Sequence, residues 1–352
     1  MAGSVFGTIF KISTWGESHG PALGVVIDGC PAGFPLSEAD IQPYMDRRRP
    51  GMGKLSTARS EADRIEILSG VFEGRTTGTP ISIMLRNTDQ RSRDYGNLAD
   101  TYRPGHADFG YDAKYGIRDY RGGGRSSGRE TAGRVAGGAV ACLILKRLGI
   151  SFSTRVTEIG GVRIRDGETA ETDSVIAALL EDARSRGDSL GSAVECRISG
   201  VPAGLGDPVF EKLDANLAKA VFSIGAVKAV EIGDGKEAAA ARGSANNDPF
   251  RVRDGRIRTE SNHAGGILGG ISTGEEIVLR AAFKPTPSIS LPQRTANRFL
   301  EETELVIKGR HDPVIGPRAA VVVETMCGLV ILDALLLQRS ARFDLLCQEQ
   351  HR

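Results

Sequence analysis

A faint internal repeat is the feature of the sequence that most constrains its fold. The segment GVFEGRTTGTPISI (70–83) aligns with GILGGISTGEEIVL (266–279), and both carry Gly-x-x-x-Gly, then Thr-Gly, then Ile. Self-similarity of this kind indicates one structural unit used twice, so two related halves would pack around a shared core. The alternative is a coincidence between two glycine-rich turns.

Apolar spacing predicts helices and strands mixed along the whole chain. Asp207-Pro208 predicts a helix start, with Asp as N-cap and Pro at the first helical position. Further helices are predicted from about Asp173 and over Ala319–Gln338, the latter apolar almost all round and therefore buried. The predicted strands are Leu23–Ile27, Ile81–Leu85, Val227–Ile232 and Glu276–Ala281. No Pro/Ser-rich linker separates them, which predicts one α+β (mixed α/β) unit.

Charge and cysteine content exclude several classes of protein. The 352 residues carry Lys+Arg 45 and Asp+Glu 44, a net charge of +1, which argues against a general polyanion binder. The five cysteines are scattered and never spaced as CxxC, so reduced thiols are expected, with neither a disulfide framework nor a metal site. No signal peptide is apparent, and no uninterrupted apolar run reaches about 20 residues. We expect a soluble, cytoplasmic protein.

The densest motif is a glycine-rich loop before a helix. Gly122–Gly124 precede Arg125-Ser126-Ser127, and Ser127 with Glu130 has the spacing of a capping box that would start the helix there. A helix N-terminus favours a phosphate, and Arg125 and Arg129 would add positive charge. The alternative is a tight turn capped by Ser127.

The helix after this loop contains three glycines, Gly133, Gly137 and Gly138. Each costs about 1 kcal/mol relative to Ala inside a helix, so something should pack very close to this backbone. Either another helix or a flat cofactor fits that requirement.

A second basic cluster lies in DRRRPGMGK (46–54), at the end of a helix with Ser37 as N-cap and Asp40 three residues later. Pro43 should disturb this helix. Arg47–Arg49 then form either a solvated face or an anion-recognition site, for which guanidinium offers a bidentate fork.

Two further loops carry ionisable groups. The prolines of residues 284–318 surround Lys284, Arg310, His311, Asp312 and Arg318, where a carboxylate beside arginines could orient a ligand or take part in proton transfer. The stretch TWGESHGPALG (14–24) places a histidine between glycines, in a turn or in the wall of a site. Together the glycine loops, arginines and histidines suit a polyanionic small substrate.

These segments resemble the signatures of the chorismate synthase family, in the family's order. The matching stretches are GESHG (16–20), GGGRSSGRETAGRVAGGA (122–139) and RHDPVIGPRA (310–319), together with NTDQRSRDY, RPGHAD, SNHAGGILGGIS and KPTPS. The resemblance runs from about residue 5 to 340, which predicts a single catalytic domain over 1–340 and a tail over 341–352.

The resemblance implies a carbon–oxygen lyase of the shikimate pathway. Members of this family convert 5-enolpyruvylshikimate-3-phosphate to chorismate by 1,4-elimination of phosphate. They require reduced FMN although the reaction has no net redox change. A β-α-β sandwich core and a homotetramer are implied as well. Long inserts of the kind seen in bifunctional, NAD(P)H-using relatives are not apparent, so we expect a separate flavin reductase as partner and neither nucleic acid nor membrane.

The resemblance also implies roles for individual residues. His19 would be the acid that assists phosphate departure, His106 would control protonation of the reduced flavin, and Asp312 would support proton transfer. The implied substrate-binding residues are Ser18, Arg48, Lys54, Arg103, Ser127 and Arg129. The implied cofactor-binding residues are Arg125, Ser126, Ser127, Ala245, Asn246, Gly269, Lys284, Pro285, Thr286, Pro287, Ser288 and Arg310.

Three positions depart from the family pattern. Lys54 stands where many relatives carry arginine, and lysine lacks the fork geometry. Ala245 stands where glutamine is common, so only a backbone contact is expected there, and Gly128 replaces the commoner alanine. His263 and His311 receive no role. The rival hypothesis is a non-catalytic binding protein for phosphorylated ligands or RNA, which would use the patches 47–49 and 125–129.

Overall fold

Helices and strands alternate along the chain in a computed structural model, which describes residues 3–49, 63–87, 98–165, 167–307 and 312–344. The helices are α1 (Glu38–Arg48), α2 (Asp108–Tyr115), α3 (Thr131–Arg147), α4 (Ser174–Ser185), α5 (Leu213–Phe222), α6 (Gly243–Asn246) and α7 (Gly316–Gln338). The strands are β1 (Val5–Phe6), β2 (Lys11–Gly16), β3 (Ala22–Asp28), β4 (Ile65–Ile67), β5 (Val71–Phe72), β6 (Arg75–Thr76), β7 (Ile81–Arg86), β8 (Ser151–Ile159), β9 (Val162–Arg163), β10 (Ser192–Ser199), β11 (Val227–Ile232), β12 (Phe250–Arg253), β13 (Arg256–Thr259), β14 (Ile267–Leu268), β15 (Ile271–Ser272), β16 (Ile277–Phe283), β17 (Gln293–Ala296) and β18 (Glu302–Leu305).

Four helices form a layer between two five-stranded antiparallel sheets. The first sheet has the order β1-β2-β3-β7-β4 and packs against α3, while the second has the order β11-β16-β10-β8-β9 and packs against α5 and α7. Helices α1 and α5 flank the central pair, α3 and α7. Strand β7 illustrates why the sheets pack on the helices. Its residues Ile81, Ile83 and Leu85 alternate with less buried residues and face the helices. This architecture confirms the mixed α+β class and the β-α-β sandwich.

Helix α7 is the buried centre of this core. It is long and apolar enough to span a membrane, but 78% of its most apolar window is buried inside the fold, as in the core helix of a globular protein. A methyl group on Gly138 of α3 would lie 2.5 Å from the Thr325 carbonyl oxygen of α7, and one on Gly133 would lie 2.8 Å from the Gly24 carbonyl oxygen of β3. The glycines of α3 therefore permit close packing by a helix and a strand, and a cofactor is not needed to explain them.

The two halves of the chain repeat one topology. Strands β2, β3, β7 and β4 lie in the same order in the first sheet as β8, β10, β16 and β11 in the second, and α1 and α3 correspond to α5 and α7. The two aligned segments form the hairpins β5–β6 and β14–β15, each followed by a long central strand. The prediction of two pseudo-repeated halves is therefore confirmed by the strand order.

The correspondence extends to individual hydrogen bonds. Thr76 Oγ1 donates to the Pro31 carbonyl oxygen at 2.6 Å, and Ser272 Oγ donates to that of Pro202 at 2.6 Å. The same two hydroxyls accept from the backbone N–H of Phe34 (3.0 Å) and of Leu205 (2.8 Å). The segments PAGF (31–34) and PAGL (202–205) carry this match in the sequence, and sequence reasoning missed it.

Two helices begin where the sequence predicts, and two begin elsewhere. Ser37 and Asp40 cap α1, with Pro43 inside the helix, and Asp173 caps α4 by accepting from Val175 N–H. The predicted start at Asp207-Pro208 is wrong. Val209 has a left-handed φ of +66°, and α5 begins only at Leu213, whose N–H donates to the Gly270 carbonyl.

The start predicted for α3 is also corrected. Two short 3₁₀ turns, Gly124–Ser126 and Gly128–Glu130, precede α3, which begins at Thr131. Ser127 Oγ accepts from the Arg129 N–H at 3.3 Å, but the Glu130 carboxylate binds Arg134 at 2.8 Å instead of reaching back to Ser127. In a full capping box the Glu130 carboxylate would accept from the Ser127 N–H. Here it forms an i,i+4 ion pair with Arg134 instead.

Candidate active site

A cavity of about 1140 Å³ lies at the N-terminal ends of α3 and α7. It is bordered by two long connections, from β7 to α3 and from β16 to α7, which Lys284 joins by donating from Nζ to the Gly105 carbonyl oxygen. The predicted site residues that line it are Arg48, Arg103, His106, Arg125, Ser126, Ser127, Arg129, Lys284, Thr286, Pro287, Ser288 and Asp312. The fold thus gathers residues that are far apart in the sequence.

Two consecutive glycines separate the two histidines of the site. Gly122 and Gly123 have φ values of +66° and +88°, which glycine adopts without strain. A methyl group on Gly122 would lie 2.5 Å from His19 Cδ2, and one on Gly123 would lie 2.6 Å from His106 Cε1. Any other residue at either position would push an imidazole out of place.

Ser18 and His19 lie behind Gly122 and do not line the cavity. Both are buried, with exposed fractions of 3% and 7%, and Ser18 Oγ donates to the Arg121 carbonyl at 3.5 Å. They are held in the tight turn between β2 and β3, where the Asn87 amide donates to the Gly20 carbonyl at 2.8 Å. A ligand in the cavity meets the backbone of Gly122 before it meets His19.

His106 lies on the other side, in a cluster with a carboxylate and an arginine. Its Nδ1 is 2.9 Å from Asp108 Oδ1, and Arg103 binds the same carboxylate through Nε and Nη2, both at 2.8 Å. Arg103, predicted to bind substrate, lines the cavity but uses two of its nitrogens for Asp108. Burial alone would raise the pKa of Asp108, but the hydrogen bonds from Arg103 and His106 hold it well below its usual range.

A second buried cluster supports the floor of the cavity. Asp63 accepts from Arg48 Nη2 at 2.6 Å and from Arg129 Nη1, while Arg48 Nη1 donates to Thr131 Oγ1 at 3.3 Å. Burial would raise the pKa of Asp63, but the charges of Arg48 and Arg129 lower it. One carboxylate thus orients two arginines that line the cavity.

Arg125 fixes the glycine loop to the first sheet. Its guanidinium donates to the carbonyl oxygens of Gly16 (3.1 Å) and Thr14 (3.2 Å) and to Thr14 Oγ1 (2.6 Å). These acceptors carry no charge, so the positive charge of Arg125 at the cavity is not neutralised by them.

The second half supplies the opposite wall. Lys228 and Lys284 line the cavity together, and burial, followed by the charge of Lys228, lowers the pKa of Lys284. Asp312 is paired with Arg318, which also donates from Nε to the Arg48 carbonyl at 3.0 Å. This wall therefore combines two close lysines with one neutralised aspartate, and a bound anion would relieve the repulsion between the lysines.

Several predicted site residues do not line the cavity of their own chain. Asn246 contacts Asp234 just after the end of β11, whereas Lys228 near the start of that strand lines the cavity, so the two lie toward opposite ends of β11. Ala245 lies in the same short helix. Gly269 lies in the β14–β15 turn near the start of α5, whose other end borders the cavity. Pro285 does not line the cavity, and Lys54, Arg310 and His311 lie outside the described residues.

His263 belongs to the remote cluster around Asp234. Its Nδ1 lies 2.7 Å from Asp234 Oδ2, and Asp248 accepts from its backbone N–H at 2.8 Å. These bonds tie the loop before β14 to the end of β11. His263 does not line the cavity.

Residues of the cavity or its supports that sequence reasoning missed include Asp63, Asp108, Lys228 and Arg134. Asp108 stands in the RPGHAD segment that was already singled out, so the motif itself held the signal. Asp63 and Lys228 carry no local signal, because only the fold brings them to the arginines and to Lys284.

The cavity has the features of an enzyme site for small anionic molecules. It is concave, rich in cations, and flanked by two histidines at fixed places beside a glycine backbone, which is typical of acid–base chemistry on a bound polyanion.

Comparisons with known proteins agree on the family. The family model described as chorismate synthase matches residues 10–336. The chain is 58% identical to a chorismate synthase of Lachnospira eligens over 98% of both chains, and 58% identical to one of Methanosarcina barkeri over 96% of this chain and 97% of the relative. A crystal structure of chorismate synthase superposes with a TM-score of 0.75 at 32% identity, covering 95% of this chain and 94% of the other.

The chain belongs to the chorismate synthase family. It is a lyase that eliminates phosphate from 5-enolpyruvylshikimate-3-phosphate to give chorismate, the last common step of aromatic amino-acid biosynthesis. The rival hypothesis of a non-catalytic binding protein is thereby set aside.

Proposed function

We propose that this elimination takes place in the cavity between the two long connections, with reduced FMN bound beside the substrate and with His19 and His106 as its acid–base groups. The observation that carries the proposal is the pair of histidines held on either side of Gly122–Gly123 at a cation-rich cavity.

The residues present fit a flavin nucleotide and a second anionic ligand together. Ligand pockets are commonly about 300–1,000 Å³, and this cavity of about 1140 Å³ lies just above that range. Arg125, Lys228 and Lys284 would hold a phosphate, and Ser126 and Ser127 add hydroxyls at the same wall. When bound, reduced FMN would supply electron density to the allylic system and accept the ring hydrogen.

Arg48 and Arg129 are the best candidates for the anionic groups of the substrate. They line the cavity floor, share the carboxylate of Asp63, and are held in place by it. Bound in this way, two guanidinium groups would orient a phosphate or carboxylate and stabilise the charge that develops on the departing phosphate.

The protein groups that move protons have separate positions. His106 would exchange a proton at Nε2 on the Gly123 side, and His19 would act from behind Gly122. Asp312, held by Arg318, would assist from the second half. Exclusion of water by the two connections would strengthen each of these interactions.

The test is an anaerobic assay of His106→Ala with chemically reduced FMN. Turnover should fall by at least about 100-fold, the scale of general acid–base contributions. His351→Ala, a change in the predicted tail, is the matched control and should turn over normally. Normal turnover by His106→Ala would remove His106 from the mechanism. A parallel arm with NADPH and oxidised FMN should give no product without an added flavin reductase.

The remaining proposals concern assembly and location. A homotetramer, implied by the family resemblance, would allow Ala245, Asn246 and Gly269 of one subunit to reach the cavity of another. The near-neutral net charge and the buried, free thiols of Cys30, Cys142, Cys196 and Cys327 support a cytoplasmic enzyme.

A further inference from the structure

The Asp108 carboxylate is the most completely engaged group at the cavity. Asp108 is the first residue of α2 and is 3% exposed. Its Oδ2 accepts from Arg103 Nε at 2.8 Å and from the Arg103 backbone N–H at 3.1 Å, and its Oδ1 accepts from Arg103 Nη2 at 2.8 Å. Arg118 Nη1 approaches Oδ1 to 3.9 Å. A carboxylate surrounded by donors in this way is ionised and can only accept.

His106 Nδ1 meets two groups with opposite requirements. It lies 2.9 Å from Asp108 Oδ1, an acceptor, and 3.1 Å from Arg103 Nη2, which can only donate. Nδ1 must therefore either carry a proton and donate to Asp108, or lack one and accept from Arg103.

The distances decide between these two states. Without a proton on Nδ1, two lone pairs would face each other at 2.9 Å, one of them on an ionised oxygen. With a proton there, Nδ1 can donate to Oδ1 across 2.9 Å, and Arg103 Nη2 keeps its shorter bond of 2.8 Å to that oxygen. The protonated state removes the repulsion between the lone pairs, and a bond to an ionised carboxylate is stronger than one between neutral groups.

We propose that Asp108 is the positioning residue for His106: it holds the imidazole in the Nδ1–H tautomer, so that Nε2 is the atom that exchanges a proton with ligands of the cavity. This rests on the acid–base role proposed above for His106.

Two further observations agree with this orientation. His106 is about one-eighth exposed and lines the cavity, and a methyl group on Gly123 would lie 3.0 Å from Nε2. The bare Gly123 backbone therefore leaves room beside Nε2, while Nδ1 is turned to the buried carboxylate. Arg103, which sequence reasoning assigned to the substrate, acts here mainly to fix Asp108.

The tautomer can be read directly in the intact wild-type enzyme. The chain has five histidines, so ring-15N histidine labelling with long-range 1H–15N correlation gives few signals, and His106→Gln assigns the one of interest. In the neutral ring, Nδ1 of His106 should be protonated and Nε2 should not. The reverse pattern in the wild type overturns the proposal without recourse to any variant at Asp108.

Asp108→Asn then tests the cause. We expect kcat to fall by at least about tenfold with KM close to wild type, since a comparable Asp-to-Asn change in the Ser-His-Asp triad yields the wrong tautomer. The Nδ1–H signal of His106 should be lost or reduced. The matched control is Asp182→Asn on α4, which removes a 2.9 Å contact to Arg186 Nε, and neither residue lines the cavity or contacts His106. It should leave both readouts unchanged.

The outcomes separate this proposal from the proposed function. A folded Asp108→Asn enzyme that keeps the wild-type tautomer overturns the positioning role, whatever its turnover. Normal turnover by His106→Ala contradicts the acid–base role instead, and the tautomer measured in the wild type would still stand.

Discussion

The two halves of the molecule place different structures at equivalent points. In the first half, β2 and β3 are joined by a tight turn that holds Ser18 and His19 against Gly122, just before α3. In the second half, β8 and β10 are joined by an insertion containing β9 and α4, and Ser192 packs against Gly316 at the start of α7. Equal topology therefore brings a histidine to one helix start and a structural serine to the other.

What covers these helix starts also differs. The insertion of the second half builds a small separate core, in which Ile159, Ile176, Leu180 and Val314 are buried together. The first half has no such cover in its β2–β3 turn, and its glycine loop lies directly on the histidines. The fold thus offers two equivalent positions: one is small and polar and borders the site that we propose for the reaction, and the other is filled with apolar side chains.

The strongest test of this difference between the two halves is a larger residue in the glycine loop. In Gly123→Ala the new methyl group would meet His106 Cε1 at 2.6 Å and would sit on a backbone with φ of +88°. We expect turnover to fall by about 100-fold or more, since misplacement of a reacting group by about 1 Å can cost this much. The measurement is kcat under anaerobic conditions with reduced FMN.

Gly116→Ala is the matched control for backbone strain. Gly116 has a φ of +73° with nothing within 4 Å of the added methyl group, and it does not line the cavity. It should lose about 1–2 kcal/mol of stability from the left-handed backbone and keep its turnover. Equal losses of turnover in both variants would show that strain, and not contact with His106, explains the effect.

A second comparison concerns two carboxylates that each bind several arginines. Arg48 and Arg129 around Asp63 have side chains only 2% and 4% exposed, whereas Arg155, Arg197 and Arg280 around Glu195 are 52%, 41% and 39% exposed. We expect Asp63→Asn to cost about 3–5 kcal/mol of unfolding free energy, as when one partner of a buried pair is removed. Glu195→Gln should cost about 1–3 kcal/mol, because water can solvate its arginines. Urea unfolding at pH 7 measures both.

The same pair predicts an acid dependence. Burial would raise the pKa of both carboxyls, but the neighbouring arginines lower them. A lowered folded pKa gives stability that is present above the unfolded value of about 4 and is lost as the pH falls through the folded value. Below about pH 4 the wild type should therefore lose stability more steeply than Asp63→Asn, and equal slopes would contradict the role of Asp63.

Much of the fold could be predicted from the sequence because its signals are local. The strand Val227–Ile232 and the buried helix Ala319–Gln338 follow from apolar patterning alone. The start of α5 was predicted too early, because Asp207-Pro208 has the chemistry of a helix start while Val209 adopts a left-handed backbone that no local rule foresees.

Site residues that lie inside recognisable motifs could be predicted from the sequence. Residues that only the tertiary fold brings to the cavity could not. Motif resemblance named His106, Arg48 and Arg129, and all three line the cavity. Asp63 could not be found in this way, because it lies outside the motifs. Its role depends on ion pairs with Arg48 and Arg129, which the fold brings to it from other parts of the chain. Burial of this kind depends on tertiary packing, which spacing along the chain does not encode.

The smallest expected effect concerns the equivalent helices α1 and α5. Helix α1 has a capping box, with the Asp40 carboxylate accepting from the Ser37 N–H at 2.8 Å, whereas α5 begins after Lys212, whose side chain makes no cap. Ser37→Ala should cost about 1 kcal/mol, and Lys212→Ser should gain a few tenths to about 1 kcal/mol. The φ and ψ of Lys212, −55° and 139°, are extended, so a serine hydroxyl there could accept from the N–H of Asp214 or compete with the Asp214 carboxylate for the N–H of Ala215. Thermal unfolding of both variants measures the two changes, and a loss of stability in Lys212→Ser would show that the ion pair of Lys212 with Asp214, at 3.4 Å, outweighs the missing cap.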